Sequence, residues 1–171
     1  ISSARNKGLE HSQNDWIMFI DHDDLYKKTY LEKAVEIIND NVSVDLIKFS
    51  IEYYEVKKNN VKPNNRYTLD KNLIVKPEDL GDIYFKLREK GFRTFVWNTV
   101  YRKEFLNKNN ITFDERLKFG GEDDLFNIIC YCNFRKMILC KEKTYTHYRL
   151  YNQSQSTKTD INKAYTSIIL D

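Results

Sequence analysis

The chain has 171 residues, 41% hydrophobic and 31% charged, which suits one globular domain with its own core. It has no secretory signal and no apolar run of membrane-spanning length. Its 28 basic and 25 acidic residues leave a formal net charge of +3, too close to balance to call for nucleic acid. Cys130, Cys132 and Cys140 are odd in number and lack zinc-like spacing, so they read as buried reduced thiols of a cytoplasmic protein.

In chain order, Ala4, Gly8 and Leu9 suggest the end of a short helix. Trp16 to Ile20 is a continuous apolar run, the pattern of a strand buried on both faces. Thr29 to Glu32 fits a capping box. It opens a helix with Leu31, Ala34, Val35 and Ile38 on one face. Asp45 to Val56 reads as a long strand, and the polar run from Lys57 to Tyr67 as an exposed loop or hairpin tip. The segment from Lys76 to Gly91 predicts a helix with Pro77 in its first turn and Gly91 at its end. Arg93 to Tyr101 predicts a strand, followed by a short helix broken at Asn109-Asn110. Glu122 to Phe134 predicts a helix with Leu125, Ile128, Ile129 and Cys132 on one face. "KMILC" and "KTYTHYRLY" predict two further strands, and a peripheral helix follows from Thr159. The mixture argues for an α/β fold with a partly mixed sheet flanked by helices.

Three groups carry chemistry. Asp21, Asp23 and Asp24 crowd the end of the Trp16 strand, where open α/β sheets bind ligands. Adjacent carboxylates repel one another, so something positive must compensate. In extended backbone Asp21 and Asp23 face one way and His22 the other. Two hard-oxygen ligands on one side suit Mg²⁺ or Mn²⁺ and a diphosphate. The alternative is an Asp-rich turn that caps the next helix. Second, "FGGEDDLF" puts Glu122, Asp123 and Asp124 at a helix start behind two glycines. Acidic residues favour that position for the helix dipole alone, but a carboxylate held there can also act as a general base. Third, His147 lies in "THYRLYNQSQS", with Arg149 on the same strand face.

These blocks, in order, resemble the family 2 glycosyltransferases with the GT-A fold. The matching segments are "SSARNKGL", "FIDHDD", "WNTVYRKEFL", "GGEDDLF" and "HYRLYNQSQS". The resemblance implies that Asp21 and Asp23 hold a Mn²⁺ or Mg²⁺ ion and the nucleotide sugar, with Asp23 the closer ligand and His147 a further one. It implies that Arg5 lies beside the nucleotide and that Trp97 and Asn98 line the acceptor pocket. Asp123 would be the base that deprotonates the acceptor, with Glu122 orienting acceptor or base. The expected reaction is inverting transfer from a nucleotide-diphosphate donor, of the UDP-sugar type, to a hydroxyl of a saccharide or lipid-linked saccharide. The setting expected is cell-surface polysaccharide synthesis in the cytoplasm, or at the inner face of the membrane.

The family's first strand and its Asp-Asp-Gly-Ser segment have no counterpart here. Residues 1–158 therefore read as the C-terminal part of a GT-A domain, N-terminally incomplete, and 159–171 as the peripheral helix. An uncovered strand edge would follow, with self-association of the isolated chain. The competing readings are a catalytically silent fragment or acceptor-binding module, and another divalent-metal phosphotransfer or hydrolytic enzyme.

Overall fold

The computed structural model describes residues 1–21, 25–57, 60–64, 68–90, 93–118 and 120–150, with the backbone alone for 53–57, 60–64 and 144–150. Helix α1 (Ser2–His11) leads into β1 (Trp16–Met18). Then come β2 (Leu25–Tyr26), α2 (Tyr30–Asp40), β3 (Leu46–Lys57), β4 (Asn60–Asn64) and β5 (Leu73–Val75). A 3-10 turn at Pro77–Asp79 runs into α3 (Leu80–Glu89), followed by β6 (Thr99–Arg102), α4 (Lys103–Lys108), α5 (Glu122–Asn133) and β7 (Met137–Leu150).

The strands form one mixed sheet in the order β1-β6-β3-β7-β2, with β4 added beside β3 and β5 beside β7. Among the described residues β3 and β7 run parallel, and the other pairs are antiparallel. Six consecutive residues of β3, Leu46 to Ile51, are buried, so both faces of the sheet centre are covered. On one face, Tyr30 of α2 sets its ring edge-on to Phe49, 5.0 Å between centroids. On the other, Phe126 of α5 meets Tyr101, which stands opposite Leu46 in the sheet register.

Several expectations are corrected. The strand at Trp16 is three residues long, with only Ile17 buried, and Ile20 is exposed. Thr29 stands at the N-cap of α2, but its side chain makes no capping bond. That helix buries Tyr30 and Ala34 and leaves Leu31 and Val35 exposed. The reason is Tyr30, which packs between Tyr26 and Phe49 and turns the helix to suit the larger ring. In α5 the buried face is Phe126, Asn127, Cys130 and Tyr131, and Cys132 is exposed. The strand expected over 93–101 begins only at Thr99, and β5 was not anticipated. The two strands expected near the C-terminus are one, β7, whose pairing with β3 shifts register at Phe49/Ser50 and Ser50/Ile51. Those irregularities fall beside the Lys141–Lys143 stretch that had suggested a break. The segment 159–171 lies outside the described residues.

Asp45 ties the start of β3 to the start of β7 and the end of β6. Its carboxylate accepts from the Arg135 backbone N–H (2.8 Å) and from Arg135 Nε and Nη2 (3.1 and 2.5 Å). Its own N–H donates to the Lys136 carbonyl, and its carbonyl accepts from the Arg102 N–H, both at 2.9 Å. Asp45 is wholly buried while the Arg135 side chain is 55% exposed, so losing the carboxylate strands a backbone donor more than a charge. Asp45→Ala is therefore expected to cost about 1.5–3 kcal/mol, the range of hydrogen bonds to charged groups. Urea unfolding of wild type and variant measures it, and a loss below about 0.5 kcal/mol, the scatter of neutral surface changes, would deny Asp45 this role.

Candidate active site

Arg5 lies in α1, Asp21 three residues beyond β1, and Glu122 and Asp123 open α5. The fold brings all four together. Arg5 Nη2 donates to Asp21 Oδ1 at 3.1 Å, Nη1 donates to Asp123 Oδ1, and Glu122 Oε1 lies 3.9 Å from Nη1. Arg5 and Asp123 are 118 residues apart in the chain. Three carboxylates thus share one guanidinium, which answers in part how the acidic strand end is tolerated.

The floor of the site is aromatic. Phe113 and Phe126 stack at 4.1 Å, and Phe19 meets both edge-on at 5.2 and 6.0 Å. The Arg5 guanidinium lies 5.1 Å from the centre of the Phe113 ring. Asn6 fixes that floor in place. Its Nδ2 donates to the Phe113 carbonyl (2.9 Å) and its Oδ1 accepts from the Phe113 N–H (2.8 Å). Asn6 was not singled out from the sequence, although it stands beside Arg5 in the quoted "SSARNKGL"; no local pattern reveals a partner so far along the chain.

Burial governs the electrostatics. The Arg5 side chain is 12% exposed, Glu122 13%, Asp123 18% and Asp21 40%. Desolvation pushes the Asp123 carboxyl up to about 7. Arg5 pulls it down, while Glu122 and Asp21 push it further up. Burial opposes the Arg5 charge, but Asp123 and Asp21 outweigh it and hold the guanidinium above its ordinary value. Glu122 Oε2 is buried and makes no hydrogen bond among the described residues. It is an acceptor position left over within the carboxylate group. Gly121 begins α5 with φ of 87°, a left-handed conformation that lets the chain turn sharply into the helix.

Of the other expected site residues, two cannot be placed and two are seen in the core. Asp23 lies outside the described residues. His147 is opposite Tyr53 in β7, where the backbone alone is described. Trp97 and Asn98 are 3% and 0% exposed. Trp97 stacks on Phe95 at 4.5 Å, and Asn98 Nδ2 donates to the Phe49 carbonyl at 2.8 Å, so both are seen bracing the core. Among the described residues no three His, Cys, Asp or Glu side chains form a ready-made metal cluster.

A mixed sheet covered on both faces, with Asp21 just beyond a strand end and Glu122 and Asp123 at a helix start, matches a GT-A-like fold. The model of the glycosyl transferase family 2 matches residues 1–145, and the chain belongs to that family. It is similar to the uncharacterized glycosyltransferase EpsJ of Bacillus subtilis (strain 168), 24% identical over 94% of this chain and 44% of that protein. It is also similar to the minor teichoic acid biosynthesis protein GgaB of the same organism, 29% identical over 91% of this chain and 16% of that one. Among solved structures, S. aureus TarS 1–349 in complex with UDP-GlcNAc superposes with a TM-score of 0.73 at 20% identity, covering 98% of this chain and 44% of TarS 1–349. At that identity the likeness establishes the fold. The chain spans less than half the length of these relatives. No helix among the described residues is long and apolar enough to cross a membrane.

Proposed function

We propose that the full-length protein moves a sugar from a nucleotide-diphosphate donor, of the UDP-sugar type, to a hydroxyl of a saccharide or lipid-linked saccharide, with inversion at the anomeric carbon. The observation that carries this reading is the convergence of Asp21, Glu122 and Asp123 on Arg5. Asp123 is the general base. It takes the acceptor O–H proton as the new C–O bond forms and the bond to the diphosphate oxygen breaks, releasing the nucleoside diphosphate. A carboxyl near neutrality is matched to that task, being basic enough to accept the proton yet ionised in a useful fraction. The bare Oε2 of Glu122 orients the acceptor hydroxyl. Arg5 carries positive charge to the edge of the donor site.

Asp21 is the most exposed of the three carboxylates and spends one oxygen on Arg5, so its remaining hard oxygen suits Mg²⁺ or Mn²⁺. Asp23 and His147 would complete the ligand set. Bound there, the cation supplies neutralisation of the leaving diphosphate. The match to GgaB, a minor teichoic acid biosynthesis protein, supports a setting in cell-surface polysaccharide synthesis. The family resemblance proposes Trp97 and Asn98 for the acceptor pocket, where the core contacts they make would hold its wall.

The experiment is calorimetric titration of the full-length protein with a UDP-sugar, with and without Mn²⁺. Mn²⁺ is expected to tighten binding, and Asp23→Ala to forfeit that gain by about tenfold or more, since even outer-shell changes at metal sites cost 10–100-fold. Unchanged affinity in the variant would remove Asp23 from the metal site.

A further inference from the structure

Helix α5 starts without a cap of its own. Gly121 stands at the N-cap, and no side chain there bonds the free N–H groups of the first turn. What holds the turn comes from elsewhere in the chain. Arg5 takes Asp123. From another direction, Arg93 Nη2 donates to Asp124 Oδ2 at 2.6 Å, and Arg93 Nη1 to the Tyr84 hydroxyl at 3.1 Å. Adjacent side chains on a helix diverge by about 100°. Two arginines on neighbouring residues therefore resist rotation of the turn about the helix axis, where one alone would not.

Arg93 is itself anchored to the same helix. Its carbonyl accepts from the Tyr131 hydroxyl at 3.2 Å, and the next carbonyl, Thr94, accepts from Asn127 Nδ2 at 2.7 Å. The one after that, Phe95, accepts from Lys48 Nζ at 2.5 Å. Asp124, Asn127 and Tyr131 follow the i, i+3, i+7 spacing of a single helix face. Lys48 is wholly buried and also donates to Thr99 Oγ1 at 2.9 Å, while Asn127 Oδ1 accepts from the Tyr101 hydroxyl at 2.8 Å. Segment 93–95 is thus stitched to α5 along one face and to β3 beneath. It forms a rigid bracket, with the Arg93 guanidinium at its tip.

We propose that the Arg93–Asp124 ion pair is a positioning contact: it fixes the first turn of α5, and through that turn the place of the Asp123 carboxylate. The structural part stands by itself. The catalytic part rests on the reading of Asp123 as the base. Arg93 touches no reacting atom in this scheme and acts through Asp124.

The test uses the full-length protein with Arg93→Gln, Asp124→Asn and the double variant, each checked for folding by circular dichroism. The Leu125 N–H bonds the Gly121 carbonyl at 3.0 Å and so reports on the first turn; the Phe134 N–H, on the Cys130 carbonyl at 3.0 Å, reports on the far end. Amide exchange at Leu125 is expected to rise in each single variant, with Phe134 unchanged. Turnover is expected to fall about tenfold, a moderate misplacement on a scale where about 1 Å can cost 10²-fold. The donor KM should stay within about twofold, because the loss is in the transition state. The double variant should be no worse than either single, since both break one contact. Arg93→Lys, which keeps the charge and can reach one partner, should recover part of the turnover. Unchanged Leu125 exchange in the folded single variants overturns the inference, as does a loss confined to KM or losses that multiply in the double. If Arg93→Gln does not fold, Asp124→Asn keeps the side-chain shape and decides the matter alone. Raised Leu125 exchange together with normal turnover of Asp123→Asn would retain the positioning contact and reject Asp123 as the base.

Discussion

Asp123→Asn in the full-length protein is expected to lower sugar transfer by a factor on the order of 10² or more, the usual worth of a general base, while nucleotide-sugar binding survives. The amide keeps the size of the side chain and can still face Arg5, so the loss isolates the missing basic oxygen. Near-normal turnover would move the base elsewhere, with Glu122 and Asp124 next in line. The wild-type enzyme should also show kcat/KM falling as pH drops through about 7, since only the ionised carboxylate can take the acceptor's proton. The same group gives stability the opposite slope. Its folded value of about 7 lies above the ordinary 3.8, so the folded state holds an extra proton between the two. Its contribution to stability is whole below 3.8 and is lost as pH rises through about 7. Urea midpoints measured across that window should fall with rising pH in wild type and fall less in Asp123→Asn. Parallel profiles for the two proteins would mean that the Asp123 carboxyl titrates where an exposed one does.

Phe126→Ala is expected to cost about 3–5 kcal/mol, the range for removing a buried phenylalanine, which is a large share of a typical domain's stability. Phe126 is wholly buried, stacks on Phe113 at 4.1 Å and meets Tyr101 and Phe19 edge-on at 5.5 and 6.0 Å. The gap would open under the ring that faces Arg5 and one turn along from Glu122. Activity should therefore fall before the protein unfolds, because the arginine and the carboxylates lose their common floor. Chemical denaturation gives the stability change. Phe126→Leu, which refills most of the volume, should recover the greater part of it. A loss below about 1.5 kcal/mol for the alanine variant, the ceiling for volume-conserving swaps, would show that the aromatic group is not packed as described.

The residues of the candidate site were legible because their chemistry is unusual for their surroundings. Acidic groups at a strand end, and again behind two glycines at a helix start, are costly enough to need a purpose. The faces of the helices were less legible. In α5 the spacing of Leu125, Ile128, Ile129 and Cys132 gave an apolar stripe, but the buried stripe includes Asn127 and Tyr131. Both polar side chains are buried because each finds a hydrogen-bond partner distant in sequence, Thr94 or Arg93, and so pays little for leaving water. Lys48 makes the same point more strongly. A lysine in a strand reads as the solvent side, yet this one is wholly buried and bonds Phe95 and Thr99. The carbonyls of residues 93–95 are taken by Tyr131, Asn127 and Lys48, and a turn closes from the Thr99 N–H to the Val96 carbonyl, so the strand expected there begins only at Thr99.

By itself the sequence determined the chemistry available, the order of its motifs and the family they resemble, because these depend on residue type and local spacing. It determined most helices and long strands for the same reason. Only the tertiary structure decided that Asp21, Glu122 and Asp123 share Arg5, that Asn6 holds Phe113, and that Arg93 reaches Asp124. It alone also decided the burial that pushes the Asp123 carboxyl up to about 7. Proximity across more than a hundred residues, and the removal of water from a carboxylate, are properties of the packed chain as a whole, and no short stretch of it contains them.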